Sequence, residues 1–193
     1  MSKIGLGVIT HNREDFYKQC CESIPLDVID HVVTVNDGQP YEYNLPGMYF
    51  YQNFENLGVG KSKNKAMNHL LKCGCEHIFL IEDDIIIKQK GVFQKYIDTA
   101  KASGIWHLMY GYHGPANKTP SKNPNPRLIV DYKEHQVALN QHCVGAFCYY
   151  HKGVLKNIGL MDEEFRNAWE HVEHSYQIVK AGLLPGYWWW PDV

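Results

Sequence analysis

Three consecutive acidic residues, Glu82, Asp83 and Asp84, directly follow the apolar run Ile78 to Ile81. The run predicts a buried strand, so the acids lie together at its carboxyl end, where their mutual repulsion is costly unless a cation binds. Carboxylate oxygens are the ligands that Mg²⁺ and Mn²⁺ prefer. The tripeptide therefore indicates a divalent metal site, and a solvated acidic turn explains the same three residues equally well when they are taken alone.

The elements that would position these acids alternate along the first half of the chain. Strand-like runs cover Ile4 to Thr10, Val32 to Val35, Tyr49 to Tyr51 and Ile78 to Ile81, and helical apolar spacing covers 16–24 and 61–72. This alternation predicts an α/β fold with a doubly wound, mostly parallel sheet flanked by helices. Ligands of such sheets bind outside the carboxyl ends of the strands, where the acids are expected.

The composition limits the function classes. With 193 residues and 45% hydrophobic content, we predict one domain over 1–193. A formal net charge of −2 argues against a broad basic surface for nucleic acid. The segment 113–126 is rich in Pro, Asn, Lys and Ser, which predicts a flexible loop.

The apolar runs and the cysteines indicate the cellular compartment of the protein. No apolar run approaches the roughly 20 residues that a membrane helix needs, and the N-terminal run is too brief for a signal peptide. We therefore predict a cytoplasmic protein without a membrane span. The six cysteines lie within apolar patterns, which favours free buried thiols, and the Cys73-x-Cys75 spacing is not the one that zinc usually requires.

The order of the motifs resembles glycosyltransferase family 2 and its GT-A relatives over nearly the whole chain. The matching segments are Ile9 to Arg13, Val35 to Gly38, Asn56-x-Gly58 with Lys63-Asn64, Glu82 to Asp84, Val144 to Phe147 and Ile158 to Phe165. The resemblance implies a GT-A fold and places the acids at the family's metal position. It also implies a nucleotide-sugar-binding half at 1–88 and an acceptor and base half at 89–193. Asp84 is the principal expected ligand, with Glu82 beside it, and His174 is either a third ligand or a surface histidine.

The resemblance also implies a donor site for a nucleotide sugar. The expected donor-binding residues are Thr10, Asn12, Arg13, Asp37, Gly58, Lys63, Asn64 and Asp83. Asp37 can accept from an imide N–H as uracil presents it, or it is an ordinary turn residue before Gly38. Gly58 permits close backbone approach, and Lys63 stands where the family usually has arginine, which predicts positive charge beside the diphosphate unless the lysine lies on a solvated helix face.

The catalytic base is expected at the start of a helix near the C-terminal end. The family has two successive acids there, and this chain has Glu170 followed by His171. We rank Glu170 first as the base, His171 second and Glu173 third. Acids at a helix start also stabilise the helix dipole by up to about 1 kcal/mol with no catalytic role. Trp169 and Gly145 are expected near the acceptor.

Together these features predict a glycosyltransferase that uses Mn²⁺ or Mg²⁺. It would move a hexose or N-acetylhexosamine from a UDP-sugar to a hydroxyl group of a glycan acceptor, with inversion. One alternative is a nucleotidyltransferase, although the glycine-rich loop expected after its first strand is lacking. Another is a catalytically silent domain that binds a nucleotide sugar or glycan. The short chain leaves room for a homo-oligomer or a partner to complete the acceptor site.

The aromatic run Tyr187 to Trp190 has two interpretations. Aromatic rings of this kind stack against the apolar faces of sugars, and they also pack at the edge of a short strand or at a subunit interface. We favour packing for this run.

Overall fold

The computed structural model describes residues 2–184 and 190–193 of the chain. The central sheet has six strands in the order β3-β2-β1-β4-β8-β5. These strands are β1 (Ile4–Thr10), β2 (His31–Asn36), β3 (Tyr49–Gln52), β4 (His77–Glu82), β5 (His107–Met109) and β8 (Phe147–His151). Helices α1 (Glu14–Ser23), α2 (Val59–Lys72), α3 (Val92–Ser103), α4 (Lys152–Ile158) and α5 (Glu170–Lys180) accompany the strands.

The sheet is mostly parallel, which confirms the predicted fold class. Strand β1 pairs in parallel with β2 and β4, and β2 pairs in parallel with β3. Strand β8 inserts antiparallel between β4 and β5. Because β1, β2 and β4 run in the same direction, their carboxyl ends meet at one edge of the sheet, and the loops after these strands lie together there.

The core between α2 and the sheet is tightly packed. A side-chain carbon added at Gly7 of β1 would lie 2.9 Å from Ala66 Cβ and 2.8 Å from Leu80 Cδ2, so the glycine allows the helix to approach the strand closely. Ala66, Met67 and Leu70 of α2 are fully buried on this face. The apolar spacing predicted from the sequence therefore marks the inner face of the helix.

A second, antiparallel sheet consists of β6 (Leu128–Tyr132), β7 (His135–Asn140) and β9 (Trp190–Asp192) in the order β6-β7-β9. Short 3₁₀ turns at Gly111–His113 and Pro115–Asn117 precede it. The buried Asn117 side chain donates to Gly111 O at 2.6 Å and accepts from His142 N at 2.8 Å, so the start of the segment 113–126 is tied to the loop after β7.

All six cysteines are free thiols, as expected, and four of them are buried. Within the described residues, no helix combines the length and the apolar character needed to cross a membrane. In the aromatic run, Tyr187, Trp188 and Trp189 lie outside the described residues, whereas Trp190 is buried at the start of β9.

Candidate functional site

A pocket of about 380 Å³ lies where β1, β2 and β4 end, and we call it the strand-end pocket. Three kinds of ionisable group meet there, namely carboxylates, guanidinium groups and imidazoles. The lining residues are Ile9, Thr10, His11, Arg13, Asp37, Asn56, Gly58, Val59, Glu82, Arg166, Asn167, Ala168, Glu170 and His171. The structure thus brings the end of β4 and the start of α5 to one cavity, although they are far apart in the sequence.

Arg13 bridges two of the three consecutive acids. Its guanidinium group pairs through Nη2 with Asp83 Oδ1, and its Nη1 lies 3.5 Å from Asp84 Oδ2. Thr10 Oγ1 donates to the other Asp83 oxygen at 2.7 Å. Burial raises the pKa of the Asp83 carboxyl, and the contacts with Thr10 and Arg13 only partly offset this effect. Asp83 therefore points into the protein and anchors Arg13, while the Asp84 side chain is 31% exposed.

Lys63 lies inside the protein and not on a solvated helix face. Its Nζ donates to Glu170 Oε1 at 2.8 Å, to Glu82 Oε1 at 3.0 Å and to Gly145 O at 3.2 Å. These three acceptors match the three N–H donors of the ammonium group. Burial lowers the pKa of Lys63, but the charges of Glu82 and Glu170 outweigh burial and raise it. Lys63 occupies this buried position because its side chain faces inward from α2.

Glu170 and His171 form a pair at the first turn of α5. Glu170 is 2% exposed, and its Oε1 lies 3.1 Å from His171 Nδ1. Burial alone would raise the pKa of the Glu170 carboxyl, but the hydrogen bond from His171 and the charge of Lys63 hold it at about 2. The carboxylate is therefore ionised and accepts from Nδ1–H, so that Nε2 is the ring nitrogen that does not contact Glu170.

Gly145, an expected acceptor contact, lies directly under the imidazole of His171. A side-chain carbon added at Gly145 would be 2.6 Å from His171 Cγ and 2.7 Å from its Nδ1. The carbonyl oxygen of the same glycine accepts from Lys63. Gly145 thus provides the space that the ring occupies beside Glu170.

Asp37 organises the loop that leads into α2. It is buried, its Oδ1 accepts from Asn53 Nδ2 at 2.7 Å and Leu57 N at 2.9 Å, and its Oδ2 accepts from Gly58 N at 2.7 Å. Gly58 has a φ of 95°, and a side chain there would lie 2.6 Å from the Arg166 carbonyl oxygen. The loop and the segment before α5 therefore pack closely around the pocket.

Two further residues that were expected to bind the donor make hydrogen bonds within the protein. Asn12 adopts a φ of 54°, and its Oδ1 accepts from Gln39 N at 2.7 Å. The Asn64 side chain donates to Met161 O at 2.8 Å and accepts from Met161 N at 2.9 Å. The Asn12 contact connects the loops after β1 and β2. The Asn64 contacts connect α2 with the segment after α4. Neither asparagine is among the residues that line the strand-end pocket.

His174 is not placed as a metal ligand with the acids. It is buried on α5, its Nε2 lies 3.0 Å from Gly159 O, and its ring packs against Tyr150. Within the described residues, no three His, Cys, Asp or Glu side chains form a group that could hold a metal ion. The expectation that His174 is a metal ligand is therefore corrected. Its side chain is directed towards the end of α4 by the rotation of α5.

The remaining carboxylates still suit a metal that is shared with a substrate. Magnesium in nucleotide sites is commonly held by one or two carboxylates, with substrate phosphates and water completing its shell. Asp84 is partly exposed, and Glu82 has the same 31% exposure and lines the strand-end pocket. Both side chains therefore offer oxygen donors of the kind that Mg²⁺ and Mn²⁺ prefer.

A second cavity, the aromatic pocket, adjoins α5 and has a volume of about 410 Å³. Its lining residues are Gln141, Phe165, Trp169, Val172, Glu173, Tyr176 and Trp190. Trp169 and Glu173, expected at the acceptor and base positions respectively, both lie here. Glu173 therefore faces a different cavity from Glu170 and His171, which line the strand-end pocket.

The contacts that connect these groups were not predicted from the sequence. Tyr41 holds the end of β1, where its hydroxyl lies 2.8 Å from Thr10 Oγ1 and accepts from Arg13 N at 2.8 Å. Tyr41 lies in a segment without a periodic pattern, so the sequence contains no signal for this contact. The role of Arg13 as the counter-ion of Asp83 and Asp84 was also missed, although its place after β1 was a usable signal.

Three solved structures resemble this chain across most of its length. Staphylococcus aureus TarS superposes with a TM-score of 0.63 and 17% identity, over 91% of this chain and 33% of that one. GalNAc-T7, solved with UDP, GalNAc and Mn²⁺, gives a TM-score of 0.63 and 11% identity, over 100% and 42%. The mannosyltransferase PcManGT from Pyrobaculum calidifontis, in complex with GDP-Man and Mn²⁺, gives 0.56 and 12%, over 92% and 51%.

The similarity to these three structures is evidence for a shared fold. The chain spans 33% to 51% of the length of the three structures. No family model matches the sequence, and no curated protein sequence matches it. Membership of family 2 itself therefore stays a prediction. The strand order and the shared architecture identify the chain as a protein with the GT-A glycosyltransferase fold.

Proposed function

We propose that this protein is an inverting glycosyltransferase that uses Mn²⁺ or Mg²⁺ and transfers a hexose or N-acetylhexosamine from a UDP-sugar to a hydroxyl group of a glycan. The observation that carries the proposal is the meeting of Glu82 with the Glu170–His171 pair in one pocket at the strand ends. The pocket thus combines a carboxylate for the donor side with a proton acceptor. Two of the similar structures were solved with Mn²⁺ and either a nucleotide with a sugar or a nucleotide sugar.

The donor would lie along the ends of β1 and β2. Asp37 and Gly58 form one wall of the pocket, and Asp37 Oδ2 retains a lone pair after it accepts from Gly58 N. Arg13 is 44% exposed while its guanidinium group is anchored by Asp83. Since Lys63 is buried, Arg13 is the cation that we assign to the diphosphate, in a geometry suited to phosphate oxygens.

Asp84 and Glu82 would hold the divalent cation against the diphosphate. When bound, that cation supplies charge stabilisation to the departing nucleoside diphosphate. Lys63 keeps Glu82 in place through its 3.0 Å contact, and Asp84 Oδ2 lies 3.5 Å from the Arg13 guanidinium group. The protein residues thus fix the two carboxylates before the donor arrives.

His171 is our proposed base, with Glu170 as the residue that orients it. The Glu170 carboxylate has a pKa of about 2 and is paired with Lys63, so it is a weak proton acceptor. His171 presents Nε2 as the free ring nitrogen. In the proposed step, Nε2 takes the acceptor hydroxyl proton as the oxygen attacks the anomeric carbon, and the bond to UDP breaks. Glu170 stabilises the resulting imidazolium.

The test is a panel of UDP-sugars and GDP-mannose, each incubated with Mn²⁺ or with a chelator, with release of nucleoside diphosphate as the measurement. We expect Mn²⁺-dependent release from at least one UDP-sugar. His171→Asn should lower that rate by about 10²- to 10⁴-fold while the dissociation constant of the donor stays unchanged. Donor binding without release would indicate the silent binding domain, and the absence of both binding and release would contradict the proposal.

A further inference from the structure

Arg166 lies at the strand-end pocket and was not among the residues that we expected to bind the donor. Its side chain is exposed, and it lines the pocket together with Asn56 and Gly58. The guanidinium Nη2 donates to Asn56 O at 2.8 Å. The other N–H groups of the guanidinium contact no residue that the structure describes, so they are open to a ligand.

The backbone of Arg166 is fixed against the start of α2. Its carbonyl oxygen accepts from Val59 N at 2.8 Å. A side-chain carbon added at Gly58 would lie 2.8 Å from Arg166 Cα, so the glycine lets the two segments approach closely. Asp37, which accepts from Gly58 N, lines the same pocket. Arg166 therefore stands beside the wall that we assign to the donor.

The other two cations of the site are each shared by two acids. Arg13 contacts two of the three consecutive acids at the end of β4. Lys63 contacts both Glu82 and Glu170. The carboxyl groups around these two cations therefore outnumber them, and neither cation carries a positive charge that the protein leaves unpaired.

Arg166 differs from Arg13 and Lys63 because it forms no ion pair with any residue in the described part of the chain. A diphosphate brings further negative charge to a site that is already rich in carboxyl groups, and like charges repel. An unpaired guanidinium group offsets part of this repulsion. Its planar set of N–H donors also matches the geometry of phosphate oxygens.

We infer that Arg166 is a second phosphate-binding residue of the donor site, and that it supplies the unpaired positive charge that Arg13 does not. The inference rests on the proposed function for the identity of the donor. It places one phosphate contact on the chain segment that leads into α5, so the segment that carries His171 also holds the donor.

The test measures the dissociation constant of UDP by calorimetric titration in the presence of Mn²⁺, at low and at high NaCl concentration. Arg166→Gln should weaken UDP binding about tenfold at low salt, equivalent to about 1.4 kcal/mol. The difference from wild type should narrow at high salt, because salt screens a contact between exposed charges. Arg166→Lys keeps the charge without the planar group and should have an intermediate affinity.

Both variants should keep the thermal midpoint of the ligand-free wild type, because Arg166 is exposed. Arg127→Gln is the matched control. Arg127 is also exposed, its guanidinium group donates to one protein oxygen, that of Gln141, and it lines neither the strand-end pocket nor the aromatic pocket. This variant should bind UDP like the wild type.

Three results would overturn the inference, namely no UDP binding by the wild type, equal UDP affinity in wild type and Arg166→Gln, or a difference between them that salt does not change. The last result would indicate that Arg166 acts only through the loop that contains Asn56. Release of nucleoside diphosphate from UDP-sugars, measured on the same samples, reports on the proposed function separately. UDP binding that depends on Arg166 without such release would contradict the transferase and support the phosphate contact.

Discussion

The ammonium group of Lys63 lies 2.8 Å from Glu170 Oε1, and both side chains are almost fully buried. The contact joins α2 to the first turn of α5, and the same ammonium group lies 3.0 Å from Glu82 at the end of β4. The buried Lys63 ammonium group therefore links Glu82, at the candidate metal position, with Glu170, which orients His171. The two halves of the site are held together by charge as well as by packing.

We expect Lys63→Met to destabilise the fold by about 3–5 kcal/mol, because it leaves Glu82 and Glu170 facing each other without their shared counter-ion. Glu170→Gln removes one of these charges. The double variant should therefore lose less stability than the sum of the two single changes. Denaturant unfolding of the four proteins measures this coupling, and strictly additive losses would show that the pair is not coupled.

Asp84→Asn should abolish the effect of Mn²⁺ on donor affinity and leave the thermal midpoint close to that of the wild type. The substitution removes a partly exposed charge and no core volume. Calorimetric titration of a UDP-sugar with and without Mn²⁺ measures the change. Asp131→Asn, at an exposed position on β6, is the control that should retain the metal effect. A retained metal effect in Asp84→Asn would refute the assignment.

Gly145→Ala should reduce the rate of transfer much more than it reduces donor affinity. The new methyl group would stand 2.6 Å from His171 Cγ, so the ring must move away from its position beside Glu170. A stability loss of about 1–3 kcal/mol is expected from this crowding. Steady-state kinetics with varied donor separates the two effects.

Gly91→Ala provides the comparison for that variant, since Gly91 has no neighbouring atom within 4 Å of the added carbon and an ordinary negative φ. It should have wild-type kinetics. Unchanged turnover in Gly145→Ala would mean that the position of the imidazole does not limit the reaction.

We expect the ionisation of Asp192 to lower the free energy of unfolding as the pH rises from about 4 to about 6. Burial raises the pKa of its carboxyl to about 6, from an ordinary value of 3.8, despite hydrogen bonds from Tyr96 and from the backbone of Gly111 and Val193. In this window the folded state retains a proton that the unfolded state has lost, so ionisation opposes folding by up to about 1.4 kcal/mol per pH unit.

Urea unfolding at several pH values, compared between wild type and Asp192→Asn, isolates this contribution. The stability difference between the two proteins should change in favour of the variant as the pH rises through that window and should be constant above about pH 7. A difference that is independent of pH between 4 and 7 would contradict the raised pKa.

Much of the fold follows from local pattern. The apolar runs predicted the four parallel strands β1 to β4, and the observed β4, His77–Glu82, extends the predicted run by one residue at each end. The helical spacing of Ala66, Met67 and Leu70 predicted the buried face of α2. These features depend on burial of neighbouring residues, which is visible in the sequence as periodicity.

The position of each charged group depends on rotation of helices and on contacts across the fold. Lys63 and Glu170 are 107 positions apart, and only the packing of α2 against α5 directs them towards each other. The same packing directs His174 to Gly159 and Glu173 to the aromatic pocket.

The sequence alone thus determined the order of the elements in the first half of the chain, the parallel sheet and the presence of acids at the end of β4, because alternation and apolar runs reflect which surfaces must leave water. Only the tertiary structure decided which of those acids faces the pocket, which cation compensates them and which nitrogen of His171 contacts Glu170. Those outcomes depend on distances of a few ångströms between residues that are remote in the chain, and no local pattern encodes such distances.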